Sequence, residues 1–161
     1  MIALISTLII CAPMNKNLGW LIVDNARMLR RAFDERVRTL GITGPQARLL
    51  LALDRSPGEK QTFHAELLEV EPITLGRMVD RMEESGLVER RADPNDRRAR
   101  LLHLTPRAAG EIARIRRELD VMLEQMNDGL SESEEAELSR MLHRISENLS
   151  TPPRSEGISN G

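Results

Sequence analysis

Apolar residues recur every three or four positions along most of the 161-residue sequence, and this pattern changes only after Gly86. Such spacing marks one face of an α-helix, whereas the short alternating runs after Gly86 indicate strands. The fold class predicted is therefore mainly α with a small β-hairpin. The predicted helices cover residues 17–40, 43–55, 62–69, 72–84, 105–127 and 131–149, and the predicted strands cover residues 87–92 and 100–104. Two short helices joined tightly and followed by a hairpin predict a winged helix-turn-helix.

Composition excludes several kinds of site. Aromatic residues make up 2% of the chain, too few for a surface that stacks on single strands or flat cofactors. The single cysteine, Cys11, excludes an internal disulfide and a cysteine-based zinc site. The histidines His64, His103 and His143 lie in different predicted elements, without catalytic or metal-binding spacing, and are expected at the surface or half-buried. We therefore expect no catalytic residues, no metal and no cofactor, which disfavours a small helical enzyme.

The two ends differ from the body. Residues 1–16 form an apolar N-terminal extension that carries no charge before Lys16, and Met14 is an alternative start of translation. The extension is too short to span a bilayer as a helix, but an ordered segment packed on the body and a targeting signal remain alternatives. Residues 150–161 are rich in Ser, Pro and Gly and predict a disordered tail.

The helix predicted over residues 72–84 has two different faces. Its apolar side, which we expect to be buried, consists of Leu75, Met78, Val79 and Met82. The opposite side carries the candidate DNA contacts Pro72, Ile73, Thr74, Arg77 and Arg81. If the helix N-terminus enters a major groove, Ile73 and Thr74 could touch a thymine methyl group and Arg77 could bind guanine or a phosphate. The alternative is an ordinary solvated helix face with an Arg–Asp pair.

The predicted hairpin is locally basic, although the formal net charge of the chain is −2. Six arginines accompany two aspartates between residues 90 and 107: Arg90, Arg91, Arg97, Arg98, Arg100 and Arg107 with Asp93 and Asp96. Arg97 and Arg98 lie at the predicted loop tip, from which they could enter a narrow minor groove. Asp96 could brace one of them through a salt bridge, as could Asp93. The alternative is a charged turn with internal ion pairs of low energetic value.

Residues 61–107 resemble the DNA-binding core of the MarR family of bacterial transcriptional regulators. The resemblance is carried by the segments LLEVEPITLGRMVDRMEESGLVERR and DPNDRRARLLHLTPRA, and the order of helices matches over roughly residues 17–149. The family's Asp-x-Arg wing signature maps onto Asp96, Arg97 and Arg98. The resemblance implies that the helix opened by Pro72 reads DNA and that the wing reaches the adjacent minor groove. Two features depart from the family: Phe63-His64 replaces a common Glu-Leu, and Cys11 lies upstream of the reactive cysteine of the peroxide-sensing branch.

The resemblance also implies an obligate homodimer formed by the first and last helices. Residues 17–42 would then be a dimerisation helix, residues 43–107 the winged helix-turn-helix domain, and residues 108–149 the other dimerisation helices. The apolar seams of these helices independently require a partner, which is either another helix of the same chain or a second copy. A two-fold dimer would place two recognition helices about one DNA turn apart on a pseudo-palindrome.

Members of the family commonly bind small aromatic or phenolic ligands. By this resemblance, the walls of an effector pocket would be Trp20, Met28, Phe33 and Leu50. The sequence thus predicts a cytoplasmic, sequence-specific regulator of double-stranded promoter DNA, with no membrane partner, that represses until such a ligand releases it. The competing hypothesis is a winged-helix module that binds protein instead of DNA.

Overall fold

The computed structural model describes residues 17–96 and 99–150. These residues form α1 (Leu18–Arg38), α2 (Gly44–Arg55), α3 (Gln61–Leu67), α4 (Pro72–Glu84), β1 (Val88–Ala92), β2 (Arg100–Leu104), α5 (Ala108–Asn127) and α6 (Glu132–Ser150). The predicted order of elements, with a single hairpin among helices, is confirmed. The predicted extension over residues 1–16, the predicted tail after Ser150, and the loop-tip residues Arg97 and Arg98 lie outside the described residues.

Local sequence signals set the helix ends. The spacing of Thr43 and Gln46 in the sequence predicts a capping box, and it is present: Thr43 N donates to Gln46 Oε1 (3.0 Å) and Gln46 N donates to Thr43 Oγ1 (3.4 Å). Gly41, just after α1, has a φ of +78°, a left-handed conformation in which a Cβ would be strained. α5 begins at Ala108 instead of the predicted Thr105, whose carbonyl accepts from Ala108 N across a turn (3.0 Å).

The described chain divides into two compact units, one ending at Met122 and the other starting at Leu123. The first unit holds α1 to α4, the hairpin and most of α5. Each of these elements contributes buried side chains to the core. The largest fully buried side chains are Val37, Leu49, Leu50, Leu53, His64, Leu75, Val79, Met82, Val88, Leu102 and Ile115. The core therefore fixes the second half of α1 and the helix-turn-helix in one body.

The spacing of apolar residues predicts inward positions for Leu67 in α3 and Leu51 in α2, and both predictions are wrong. Leu67 is 55% exposed, and Leu51 is only half-buried while Leu49 is fully buried. α3 has only seven residues, which is fewer than two turns, so the spacing of its apolar residues does not define a face. In α2, three consecutive leucines offer several faces, and only packing against the rest of the unit decides between them.

The hairpin is held at both edges. β1 and β2 pair antiparallel along their lengths. On the outer side of β1, the backbone N of Arg90 donates to Glu83 Oε1 of α4 (2.8 Å). On the outer side of β2, the backbone N of Leu102 donates to the carbonyl oxygen of Glu59 (3.0 Å). Both edges thus have partners within the unit, which a two-stranded sheet needs in order to keep its position.

The second unit contains the end of α5 and all of α6. Ser131 and Glu134 have the same spacing, which predicts a second capping box, and it is present: Ser131 N donates to Glu134 Oε2 (2.9 Å) and Glu134 N donates to Ser131 Oγ (3.4 Å). No residue of α6 is buried, and its exposed apolar side chains are Leu138, Met141, Leu142 and Leu149. Among the residues that the structure describes, no helix has the length and apolarity needed to cross a membrane.

Candidate nucleic-acid interface

The predicted burial of α4 is confirmed. Leu75, Met78, Val79 and Met82 are buried in the core of the first unit. Because these residues fix the rotation of the helix, its opposite side faces outward. The five predicted contacts, Pro72, Ile73, Thr74, Arg77 and Arg81, are all exposed, and so are the acidic residues Asp80 and Glu84 of the same helix. Ile73 is 72% exposed, which is unusual for a large apolar side chain and is consistent with a contact surface.

The N-terminal end of α4 is formed by a tight turn after α3. Glu69 adopts a left-handed conformation (φ +54°), and the backbone N of Val70 donates to the carbonyl oxygen of Ala65 (3.0 Å). Glu71 is the N-cap of α4 and makes no side-chain hydrogen bond to the first turn, which begins with Pro72. The free backbone N–H groups of this first turn favour an anion such as a phosphate, and the negative charge of Glu71 works against it.

The hairpin loop has an additional basic residue near its base. Lys60 Nζ lies 3.7 Å from Asp93 Oδ2 and 3.7 Å from Asp96 Oδ2. The predicted brace from Asp96 to Arg97 or Arg98 involves residues outside the described part of the chain, so it stays a prediction. Lys60 was missed because it lies more than thirty positions before the aspartates, and no local pattern links the two segments.

Arg90 differs from the other hairpin arginines. Its side chain is 20% exposed, and it contacts the carboxylates of Asp80 (Nη2–Oδ1, 2.7 Å) and Glu83, both on α4. Arg91 is more exposed and pairs with Glu89 on the same strand (2.5 Å). The expected excess of positive charge was therefore overestimated, because α4 and β1 supply carboxylates that a count over residues 90–107 leaves out.

The four residues of the predicted effector pocket have different surroundings. Phe33 and Leu50 are buried in the core, Trp20 is half-buried, and Met28 is 49% exposed. Two clefts open nearby, with volumes of about 440 and 370 Å³. The first cleft is lined by charged residues of α1, and the second by Asp34, Arg38 and residues 41–45. Neither lining includes any of the four predicted pocket residues. The aromatic-ligand pocket thus stays a prediction.

His64 contradicts the expectation of surface or half-buried histidines. It is fully buried in α3, and neither ring nitrogen has a hydrogen-bond partner among the described residues. Its ring packs edge-on against Phe63, with centroids 5.2 Å apart. Burial lowers the pKa of His64, and the nearby Glu59 carboxylate opposes part of this effect. Within the described residues, no three His, Cys, Asp or Glu side chains cluster as metal ligands would.

Comparison with known proteins identifies the family. The sequence model of the MarR family matches residues 42–99, the segment that contains α2, α3, α4 and β1. Over 118 residues, 71% of each chain, the sequence is 30% identical to a Thauera aromatica protein named as a candidate transcriptional regulatory protein for the hcr operon. The chain belongs to the MarR family. The MarR resemblance seen in the sequence is thereby confirmed.

Solved structures agree with the MarR assignment. The transcriptional regulator PA3341 is 35% identical, with a TM-score of 0.74, and the match covers 83% of this chain and 98% of that one. The transcriptional repressor CouR, solved bound to a 23-mer DNA duplex, is 27% identical with a TM-score of 0.70, and the match covers 84% and 98% of the two chains. The winged helix-turn-helix fold is therefore confirmed, and this member of the MarR family is a transcriptional regulator and not an enzyme.

Proposed function

We propose that this MarR-family protein is a homodimer that binds double-stranded promoter DNA sequence-specifically. The N-terminal half of α4 enters the major groove, and the loop of the hairpin reaches the adjacent minor groove. The observation that carries this proposal is the exposed side of α4, where Ile73, Thr74 and Arg77 project outward while the opposite side is locked in the core. CouR, a structural neighbour, was solved on a DNA duplex, which supports DNA as the partner.

Exposed apolar side chains support the second copy. Leu18, Leu21 and Met28 on α1 are 60%, 47% and 49% exposed, and Leu142 on α6 is 42% exposed. Burying such side chains stabilises an interface by about 25 cal/mol per Å² of apolar surface. A two-fold dimer through these helices presents two α4 helices to half-sites about 34 Å apart, so the operator is a pseudo-palindrome.

The regulatory sense that we propose is repression by occupation of a promoter. A small aromatic or phenolic ligand near Trp20, Met28, Phe33 and Leu50 would release the DNA by changing the separation of the two α4 helices. The CouR neighbour is described as a repressor, which supports the sense of regulation. Titration calorimetry with a panel of phenolic acids tests the ligand. Absence of binding, together with an unchanged DNA affinity in their presence, would contradict this part.

A footprint on the DNA flanking the protein's own gene tests the main proposal. We expect two protected half-sites related by two-fold symmetry, with centres one helical turn apart. Affinity for the protected duplex should fall steeply with salt, because each phosphate contact contributes a slope of about −0.9 in log K against log salt. A uniform footprint or a flat salt profile would contradict DNA recognition and favour the protein-binding alternative.

A further inference from the structure

We infer that Arg90 is the positioning residue that sets the hairpin at a fixed place relative to the recognition helix α4, without touching DNA itself. This inference rests on the proposed DNA-binding function. It explains why the contacts of the hairpin loop in the minor groove depend on the position of α4 in the major groove. The proposal concerns the side chain of a β1 residue that contributes to the local count of six arginines in the hairpin.

The guanidinium of Arg90 joins three elements. Nη1 donates to Glu83 Oε2, and Nη2 contacts Asp80 Oδ1 at 2.7 Å, so two carboxylates of α4 face one cation. Nη2 also lies 3.2 Å from the carbonyl oxygen of Gly76 in the same helix. Nε donates to Gln61 Oε1 at the start of α3 (3.2 Å). A planar group with five N–H donors can satisfy such divergent acceptors at once, whereas an ammonium group cannot.

The backbone of Arg90 adds a second attachment. Its N–H donates to the other oxygen of Glu83 (2.8 Å), so one carboxylate binds both the main chain and the side chain of this residue. A two-stranded hairpin is marginally stable alone and takes its position from what it packs against. The carboxylates of α4 contact β1 at Arg90, six residues after the end of α4. The contacts of Arg90 with α4 therefore fix the direction in which the hairpin leaves β1.

Direct DNA binding by Arg90 is disfavoured by its surroundings. Its side chain is 20% exposed, and two carboxylates accompany its single positive charge. A phosphate approaching this site would meet a locally negative group, which costs binding energy. The neighbouring residue Arg91 offers a contrast, because its side chain is 60% exposed and pairs with Glu89 of its own strand. The two adjacent arginines therefore have separable roles.

The test is a double-mutant cycle on the duplex protected in the footprint described above. The first change is Arg90→Gln, and the second is the pair Arg97→Ala and Arg98→Ala at the loop tip. If Arg90 aims the loop, Arg90→Gln alone weakens binding by about tenfold, and the loop-tip change then costs less than about twofold in its presence. In the wild-type background the loop-tip change costs about tenfold. Independent, multiplying effects would overturn the inference.

Arg91→Gln is the matched control, since it removes the same charge from the next residue of the same strand. In that background the loop-tip change should retain its full effect. Footprinting with probes for each groove should show that the Arg90→Gln protein no longer protects the flanking minor grooves from hydroxyl radicals. It should still protect guanine N7 in the major grooves. Equal loss in both grooves would also overturn the inference. If Arg90→Gln does not fold, Glu83→Gln replaces it in the same cycle, with the same expected results.

A readout without DNA separates this inference from the proposed function. In Arg90→Gln, hydrogen exchange of the β1 and β2 amides should accelerate while exchange of the α2 amides stays unchanged. Unchanged exchange in the hairpin would overturn the positioning role even if the protein binds DNA. A different outcome would be that the wild-type protein gives no footprint while hairpin exchange is faster in the variant. This outcome would contradict the proposed function and still support the positioning role of Arg90.

Discussion

Arginines close together in this chain have different electrostatic surroundings. Arg77 is exposed on the outer side of α4, whereas Arg90 lies against Asp80 and Glu83, which point to the hairpin side of the same helix. An arginine attracts the DNA backbone strongly only where carboxylates do not compete for it. The partners of each guanidinium, and not the number of guanidinium groups, therefore determine which residues can contact DNA.

Replacing Arg77 with alanine tests the direct reading of DNA. Arg77→Ala should weaken binding to the protected duplex by about 1–3 kcal/mol and relax base preference at one position, if the side chain forks onto a guanine. Fluorescence anisotropy with duplexes varied at each position measures both effects. The control is Arg55→Ala, which removes an exposed arginine at the end of α2. Equal affinities of wild type and Arg77→Ala would remove Arg77 from the interface.

His64 makes the stability of the first unit sensitive to pH. Burial holds its pKa below the ordinary imidazole value of about 6.5, so the unfolded chain takes up a proton before the folded one does. Stability from this residue is fully present above about pH 6.5 and is lost as pH falls through the interval down to the folded pKa. We expect the Tm to decrease between about pH 7.5 and pH 5.5, a range that brackets the ordinary value.

Thermal unfolding of His64→Leu over the same pH range checks this prediction. The variant should show a weaker dependence on pH in that interval, because no buried imidazole remains to be protonated on unfolding. His143→Gln is the control, since His143 is exposed on α6, and it should keep the wild-type profile. A His64→Leu profile identical to that of wild type would assign the pH dependence to other groups.

At the level of elements, the sequence predicts well those features that local physics determines. The capping boxes at Thr43 and Ser131 were correct because each involves residues only three apart. The face of α4 was correct because thirteen residues are long enough to define a stripe. The burial of His64 and the exposure of Leu67 were missed, since in a seven-residue helix contacts with other elements decide which side faces inward.

The candidate site was predictable to a similar extent. The outward side of α4 follows from its apolar stripe, but the environments of Lys60 and Arg90 depend on residues from other elements. Lys60 approaches Asp93 and Asp96 across the loop, and Arg90 approaches acidic residues of α4. Single-sequence patterns carry no information on such pairs when they come from separate segments.

The hairpin loop provides a test at the element level. Replacing both Arg97 and Arg98 with alanine should weaken DNA binding and reduce the magnitude of the salt slope by about 2, if each side chain neutralises one phosphate. Affinities measured across a salt series give the slope. A control that removes two exposed arginines elsewhere, Arg27→Ala with Arg55→Ala, should leave the slope unchanged. An unchanged slope in the loop variant would exclude phosphate contacts by these residues.

For the whole molecule, the exposed apolar side of α6 predicts concentration-dependent association. Leu142→Glu places a charge where we expect a second copy to pack, so the dimer Kd should rise by at least about tenfold. Sedimentation velocity measures the association, and binding to a duplex with both half-sites should fall with it. Ala136→Glu adds the same charge on the opposite side of α6 and should leave the dimer intact. A monomeric wild-type protein would contradict the proposed assembly.

α1 has 21 residues, about 31 Å, and its two halves have different surroundings. Its later half is fastened to the first unit through Phe33 and Val37 and through the Asp34–Arg48 ion pair (2.5 Å), while its earlier half exposes apolar side chains. In a dimer whose interface contains the earlier half of α1, a rotation of α1 at that interface would move the first unit at its other end. A rotation of about 10° would displace its far end by about 5 Å. The two α4 helices would then no longer match successive major grooves of the DNA. Affinity could then be controlled by small molecules that never come near a base.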